Sequence, residues 1–343
     1  MQPLRIVTAT ASALLMVSLT LVARQAPPPQ PQTAGPQQPV EQRQLQTPPM
    51  PLLPNNGLGE TDQALIPGQP WKIRDLNRPK PVAVVPGRSP GDAPADAVIL
   101  FDGKDLSQWI VGPGRGSPAG AAAPAGAGWK VENGYMEVTP GVGGLTSKER
   151  FKDFQLHVEF ASPSVPLGIS QYRGNSGISI GGREIQVLDN YNNATYADGY
   201  VAAVYNQWPP LANPSRPPGE WQTLDIAYMA ARYEGDRLVR NAFITIFMNG
   251  VMVHDNREIQ PRAGGPGPGG RAGAGAPGRG PAIPPGADQP VSLSGHPSAI
   301  AGNAVRYRNV WARRVEVELP AAAPTAPAGG LAPIAGANGG ERR

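Results

Sequence analysis

Two short segments carry the side chains best suited to acid–base chemistry. In Phe154-Gln155-Leu156-His157-Val158-Glu159-Phe160, alternation with period 2 puts the apolar residues on one face and His157 and Glu159 on the other. In Arg183-Glu184-Ile185-Gln186-Val187-Leu188-Asp189-Asn190, Glu184 and Gln186 stand opposite Ile185 and Val187. A carboxylate or an imidazole can remove a proton near neutral pH, and Asn, Gln or Arg can hold the resulting oxyanion. Asp189 has the opposite parity to Glu184, but it stands at a strand end, where a bulge or turn re-aims a side chain.

The same side chains define the metal expectation. His157, Glu159, Glu184 and Asp189 offer oxygen ligands with one imidazole, a set suited to Ca or Mn, so a divalent metal is the one cofactor considered. The three histidines, His157, His254 and His296, show no HxH or HExxH spacing. Cysteine is absent, which excludes disulfides, thiolate metal sites, cysteine nucleophiles and a lipoprotein anchor.

The elements that must position these groups read as strands. GNSGISI from Gly174, WQTLDIAYMA from Trp221, AFITIFMNGVMVHD from Ala242 and VRYRNVWARRVEVEL from Val305 are β-branched or aromatic runs bounded by Gly, Pro or Asn. Asn249-Gly250 marks a tight hairpin. No segment has the period of an amphipathic helix. Many short strands across residues 97–319 predict an all-β chain folded as one antiparallel sandwich or jelly roll.

The flanks differ in composition. The 343 residues include 43 Gly and 42 Pro, a share at the edge of low-complexity chains. Arg5, the uncharged apolar stretch Ile6 to Val22 and small residues near Ala23 predict a signal peptide over 1–23. A periplasmic or secreted protein follows, with no stable membrane insertion after cleavage and an inner-membrane anchor if the signal is retained. Residues 24–96 read as a Pro-rich linker, in which Trp71, Ile73, Leu76, Val82, Val84 and Val85 could lay an arm on the next domain. Residues 112–128 and 261–287 read as disordered loop insertions, and 320–343 as a disordered tail.

Charge follows the same division. The net charge is +4, yet residues 97–318 hold 20 basic and 19 acidic side chains, so the excess lies in the flanks. Without a clustered basic stripe, nucleic acid is not an expected partner.

The ordered run of motifs resembles one family. ILFDGKDLSQW from Ile99, WKVENGYMEV from Trp129, LTSKERFKDFQLHVEF from Leu145, GNSGISIGGREIQVLDNY from Gly174, PPLANPSRPPGEWQTLDIAY from Pro209, ITIFMNGVMVHDN from Ile244 and VRYRNVWAR from Val305 are similar, in this order, to exported bacterial 3-keto-disaccharide hydrolases. That resemblance implies a concanavalin-like lectin/glucanase jelly roll acting as a 3-keto-glucoside 1,2-lyase or 3-keto-2-hydroxy-glucal hydratase. The chain departs from the family at Leu293-Ser294-Gly295-His296, where Ser294 stands in place of the usual Gln.

A jelly roll of this kind leaves one concave face open to sugar, and strand alternation collects His157, Glu159, Asn175, Ser179, Glu184 and Gln186 on it. Tyr205, Trp208 and Trp221 could stack on a pyranose. Glu184-x-Gln186-x-x-Asp189 is similar to the Glu-x-Asp-x-x-Glu of jelly-roll glucanases, but its middle carboxylate is an amide, so double displacement lacks its usual pair of acids. A 3-keto sugar needs less, because the ketone acidifies the hydrogen on carbon 2. One base removes it, the group on carbon 1 departs, and water adds back. The expected base is Glu184 or His157. Gln186 and Asn175 are expected to position substrate as donors, with Glu159, Asp189, Tyr205 and Trp221 beside them and Arg308 stabilising the anion.

Such a chain expects an oligosaccharide or 3-keto-sugar substrate and a separate sugar 3-oxidoreductase upstream, since it has no nucleotide-binding Gly loop of its own. The alternative is a non-catalytic carbohydrate-binding module of lectin-like fold.

Overall fold

The computed structural model describes residues 63–75, 77–112, 122–123, 126, 128–260, 284–295 and 302–315. The expected signal segment, most of both expected insertions, the C-terminal tail, Leu76 and His296 lie outside these residues.

The described chain is all-β, with two short 3-10 turns at Ser170–Tyr172 and Ala197–Gly199. The larger sheet runs, in spatial order, through β13 (Val251–Ile259), β12 (Ala242–Met248), β9 (Gln222–Met229), β6 (Phe154–Ala161), β15 (Arg306–Arg314), β4 (Tyr135–Glu137) and β3 (Lys130–Glu132). Strand β1 (Val98–Phe101) also pairs with β15. The smaller sheet orders β2 (Trp109–Val111), β5 (Leu145–Phe151), β14 (Gln289–Leu293), β7 (Ser176–Ile180) and β8 (Arg183–Val187). A separate hairpin joins β10 (Arg232–Glu234) to β11 (Arg237–Arg240).

Alternation decides what each sheet buries. Leu156, Val158 and Phe160 of β6, Leu224 and Ile226 of β9, and Ile244 and Ile246 of β12 enter one core. Ile178 and Ile180 of β7 and Ile185 and Val187 of β8 meet them from the smaller sheet. The result is a two-sheet jelly-roll sandwich. Tyr307 crosses this core: its hydroxyl donates to Ser176 Oγ at 2.6 Å, and Ser176 Oγ donates to the Ser294 carbonyl at 2.8 Å. A buried polar group is thereby satisfied between the layers. Asn249-Gly250 turns β12 into β13 with φ of 50° and 79°, and Asn133-Gly134 does the same between β3 and β4 with 48° and 78°. These are the left-handed values that a two-residue hairpin requires.

An N-terminal segment docks on the outer face of the larger sheet; of the apolar residues expected to carry it, Trp71 and Val84 are half-buried. Ile73, Val82 and Val85 are exposed. The contact is polar and uses residues further along. The Gly91 carbonyl accepts from Asn309 Nδ2 at 2.9 Å and Trp311 Nε1 at 2.8 Å, and Arg313 Nε donates to Asp96. Gly91 has φ +91°, and a Cβ there would stand 3.2 Å from His157 Cε1 and Nε2. Gly91→Ala should therefore cost about 1–2 kcal/mol from strain and crowding. Urea unfolding measures the loss, and limited proteolysis before Val98 should accelerate in parallel.

Candidate active site

The segments Phe154–Phe160 and Arg183–Asn190 lie on different sheets, and their polar side chains face away from each other. On β6, Phe160 and Val158 enter the core, so His157 and Glu159 project from the outer face of the larger sheet. On β8, Ile185 and Val187 enter the same core, so Glu184 and Gln186 project from the outer face of the smaller sheet. The single concave-face group expected from alternation is thus two groups on opposite sides of the sandwich.

The first group is a closed polar cluster. His157 is only 1% exposed. Its Nδ1 lies 2.7 Å from Asp225 Oδ1, its Nε2 lies 3.7 Å from Glu159 Oε1, and its ring stacks on Trp311 at 5.3 Å with Gly91 against its edge. Glu159 accepts from Arg308 Nε at 2.6 Å and from Asn309 Nδ2 at 2.9 Å. Arg308 in turn lies 4.1 Å from the Trp221 ring centroid. A register shift between Arg308 and Trp311, with Asn309 at φ 45°, puts both side chains on this outer face despite their odd spacing.

Burial pushes the His157 imidazole down, but the hydrogen bond to Asp225 and the nearby carboxylates of Asp225 and Glu159 outweigh it and raise the pKa to about 9. Burial alone would raise the Glu159 carboxyl; the nearby His157 imidazole, hydrogen bonds from Asn309 and Arg308, and the Arg308 charge hold it at about 2. A protonated imidazole locked under Gly91 cannot reach a sugar or accept its proton. His157 is therefore corrected from base to anchor of the N-terminal segment, and Glu159, Trp221 and Arg308 belong to that anchor's surroundings.

The second group lies on the outer face of the smaller sheet. Cross-strand pairing places Glu184, Ser179, Ser292, Thr146 and Ile110 in one row across β8, β7, β14, β5 and β2. Thr146 Oγ1 and Ser292 Oγ lie 3.1 Å apart, and exposed Lys148 extends the face along β5. Glu184 lies across Gly177: a Cβ on Gly177 would come within 2.6 Å of Glu184 Oε1. The missing side chain gives the carboxylate its place over the sheet. Tyr205 joins this edge, its N–H donating to the Glu184 carbonyl at 2.9 Å and its hydroxyl meeting that of Tyr196. Burial, the Tyr205 hydrogen bond and the charges of Asp198 and Glu184 all raise the Tyr196 pKa, keeping that phenol protonated.

Gln186 and Asn175 lie beside Glu184, but their amide groups are already engaged. Gln186 Nε2 donates to Asn175 Oδ1 at 3.1 Å and to Gln171 Oε1 at 3.2 Å, and Asn175 Nδ2 donates to the Gln171 carbonyl at 2.7 Å. The expectation that both act as donors to substrate is corrected: both NH2 groups are taken internally. Asp189 accepts from Arg173 Nε at 2.8 Å and is 4% exposed, so it braces the loop after β8. Trp208 donates to the Glu258 carbonyl and lies beneath Arg257, which makes it a packing residue.

The four expected metal ligands are accordingly divided between the two faces. Among the described residues no three His, Cys, Asp or Glu side chains form a metal-holding group. A cavity of about 500 Å³ lined by Lys72, Arg74, Arg78 and Lys80 lies in the N-terminal segment and includes none of the candidate residues. Sequence reading missed Gly177, Thr146, Ser292, Gln171 and Tyr196. The serine and threonine row is visible only once strand order is known, and Gln171 and Tyr196 lie in loops without periodicity.

The model of the 3-keto-alpha-glucoside-1,2-lyase-like domain matches residues 96–313. The chain belongs to this family. A solved structure of a proposed glycosyl hydrolase from Parabacteroides distasonis is 34% identical over 69% of this chain and 93% of its own, with a TM-score of 0.55. Two further proposed glycosyl hydrolases from that organism share 15% and 18% identity, each over 64% of this chain and 94% and 99% of their own, with TM-scores of 0.41 and 0.40. No curated protein matches the chain. Family membership supports a carbohydrate-active enzyme of the glycosidase or lyase type. Among the described residues no helix is long and apolar enough to cross a membrane.

Two outcomes test the separation of the clusters. The stabilisation from the His157 imidazolium should be full below about pH 6.5 and lost as pH rises through about 9. Asp225→Asn should flatten that window in urea midpoints measured from neutral to alkaline pH. In the other cluster, Gly177→Ala should retain the wild-type melting temperature but displace the Glu184 side chain, lowering turnover at least about tenfold.

Proposed function

We propose that the protein is an exported enzyme that cleaves 3-keto-glycosides by elimination, with hydration completing a net hydrolysis, and that Glu184 is its base. The observation that carries this reading is the Glu184 carboxylate laid across Gly177 beside a row of sugar-compatible hydroxyls. A single carboxylate suffices for this chemistry. Glu184 takes the proton from carbon 2, the electron pair forms the enolate of the 3-ketone, and the bond from carbon 1 to the aglycone oxygen breaks. The aglycone oxygen is protonated as it leaves, giving a 2-hydroxy-3-keto-glucal, and water adds across its double bond with the proton returning to carbon 2.

The surrounding groups match these steps. Ser179, Ser292 and Thr146 can donate to sugar oxygens, and Tyr196 and Tyr205 present hydroxyls or ring faces at the β8 edge. Family membership supplies independent support for a keto-glucoside. The Gln at 186, where a glucanase would carry its middle acid, weighs against hydrolysis by double displacement. Export rests on the Arg5 to Ala23 signal pattern.

Methyl 3-keto-glucoside mixed with the protein should yield the conjugated keto-glucal absorbance and then its hydration product. Glu184→Gln should reduce the rate by about 10²–10⁴-fold, the range of general-base catalysis, while His157→Asn should leave it within a few-fold. Saturable binding without turnover would replace the enzyme with a binding module.

A further inference from the structure

The chain after the second 3-10 turn returns along the edge of β8. Gln186 N–H donates to the Ala203 carbonyl at 3.0 Å and Tyr205 N–H to the Glu184 carbonyl at 2.9 Å, so Val204 pairs with Ile185 and Tyr205 stands opposite Glu184. Val204 and Ile185 both enter the core. Their neighbours Tyr205 and Glu184 therefore share the outer face, with Cβ atoms about 4.5–5.5 Å apart, as in any directly opposed antiparallel pair. The Tyr205 hydroxyl meets that of Tyr196, with ring centroids 6.2 Å apart and planes tilted by 60°. Tyr196 is held there by Gly199, where a Cβ would overlap the ring at Cε2, Cδ2 and Cζ. The same device lays Glu184 across Gly177. All three side chains are within reach of a ligand: Tyr196 is 45% exposed, and Tyr205 and Glu184 are half-buried.

Elimination needs an acid as well as a base, because an alkoxide leaving carbon 1 is a poor anion. We infer that Tyr196 is this acid, donating its hydroxyl proton to the aglycone oxygen, and that Tyr205 positions it and donates a hydrogen bond to the phenolate that results. The acid and the base act on groups attached to adjacent carbons, and the phenol pair lies beside Glu184 on one face. Two phenols sharing one hydrogen bond keep a second proton for a ligand, and Tyr196, the more exposed of the two, presents it. Burial, the Tyr205 hydrogen bond and the nearby carboxylates of Asp198 and Glu184 hold the Tyr196 phenol protonated beforehand. As the bond from carbon 1 breaks, its electron pair goes to the aglycone oxygen, which takes the Tyr196 proton; the proton from carbon 2 stays on Glu184. Hydration reverses the roles. The Tyr196 phenolate takes a proton from water, the hydroxide oxygen bonds to carbon 1, and Glu184 returns its proton to carbon 2. Both groups are restored with water as the sole co-reactant.

The acid role rests on the keto-glucoside reading, and the choice of leaving group separates the two. Methyl 3-keto-glucoside, whose alkoxide must be protonated, is compared with para-nitrophenyl 3-keto-glucoside, whose phenolate departs as a stable anion. Both are given to wild type, Tyr196→Phe, Tyr205→Phe and Gly199→Ala, with melting temperatures reporting that each variant is folded. Wild type should release both aglycones. In Tyr196→Phe, methanol release should fall by about 10²–10⁴-fold, the range of general-acid catalysis, and nitrophenolate release by less than about tenfold. Tyr205→Phe and Gly199→Ala keep the acid but lose its support or its position, and should shift the same ratio by about tenfold. Exchange of the carbon 2 proton in D2O should persist in Tyr196→Phe, because Glu184 is intact. Equal losses on the two glycosides in folded Tyr196→Phe, no loss on either, or abolished exchange overturns the acid role and leaves the keto-glucoside reading standing. If wild type releases neither aglycone, that reading fails and the acid role falls with it.

Discussion

Burial of one apolar face from each sheet governs everything else in this molecule. Leu156, Val158 and Phe160 must meet Ile178, Ile180, Ile185 and Val187. Each such side chain contributes roughly 1.5–3 kcal/mol when fully buried, whereas a typical hydrogen bond nets only about 0.5–1.5 kcal/mol. Polar contacts therefore cannot shift a strand by one residue to bring His157 toward Glu184. Once the core is formed, the alternate residues of β6 and β8 point to opposite sides of the sandwich. One chain thus presents two polar faces with different fates.

The face of the larger sheet is put to structural use. Its imidazolium, two carboxylates and guanidinium neutralise one another, and Gly91, lacking a side chain, lies against the ring's Cε1–Nε2 edge. The face of the smaller sheet keeps its carboxylate over another glycine, Gly177, with hydroxyls to either side. The two glycines have opposite consequences. Gly91 lets the chain close over a titratable group, and Gly177 leaves room for a carboxylate to lie over the sheet.

The strands were readable from alternation because each buries one side, and the Asn249-Gly250 turn was readable because left-handed φ at two successive residues favours that pair. That His157 and Glu184 both avoid the core was also legible. Which sheet each belongs to was not, since strand order depends on contacts distant in sequence: β6 lies between β9 and β15. The shift at Asn309 that brings Arg308 and Trp311 to one face breaks the alternation on which the reading relied. The expected donor roles of Gln186 and Asn175 failed for a related reason. Their shared partner, Gln171, and the Gly199 carbonyl that orients it come from two short 3-10 turns whose approach no strand periodicity encodes.

The central claim is that proton removal at carbon 2 belongs to Glu184 and not to His157, and exchange of that proton reports on it without requiring bond cleavage to be fast. Methyl 3-keto-glucoside is incubated in D2O with wild type, Glu184→Gln and His157→Asn, and loss of the carbon 2 proton signal, by exchange or elimination, is followed by NMR. Wild type and His157→Asn should show rapid loss, and Glu184→Gln loss no faster than in buffer. Wild-type exchange by folded Glu184→Gln, or its abolition in folded His157→Asn, would contradict it.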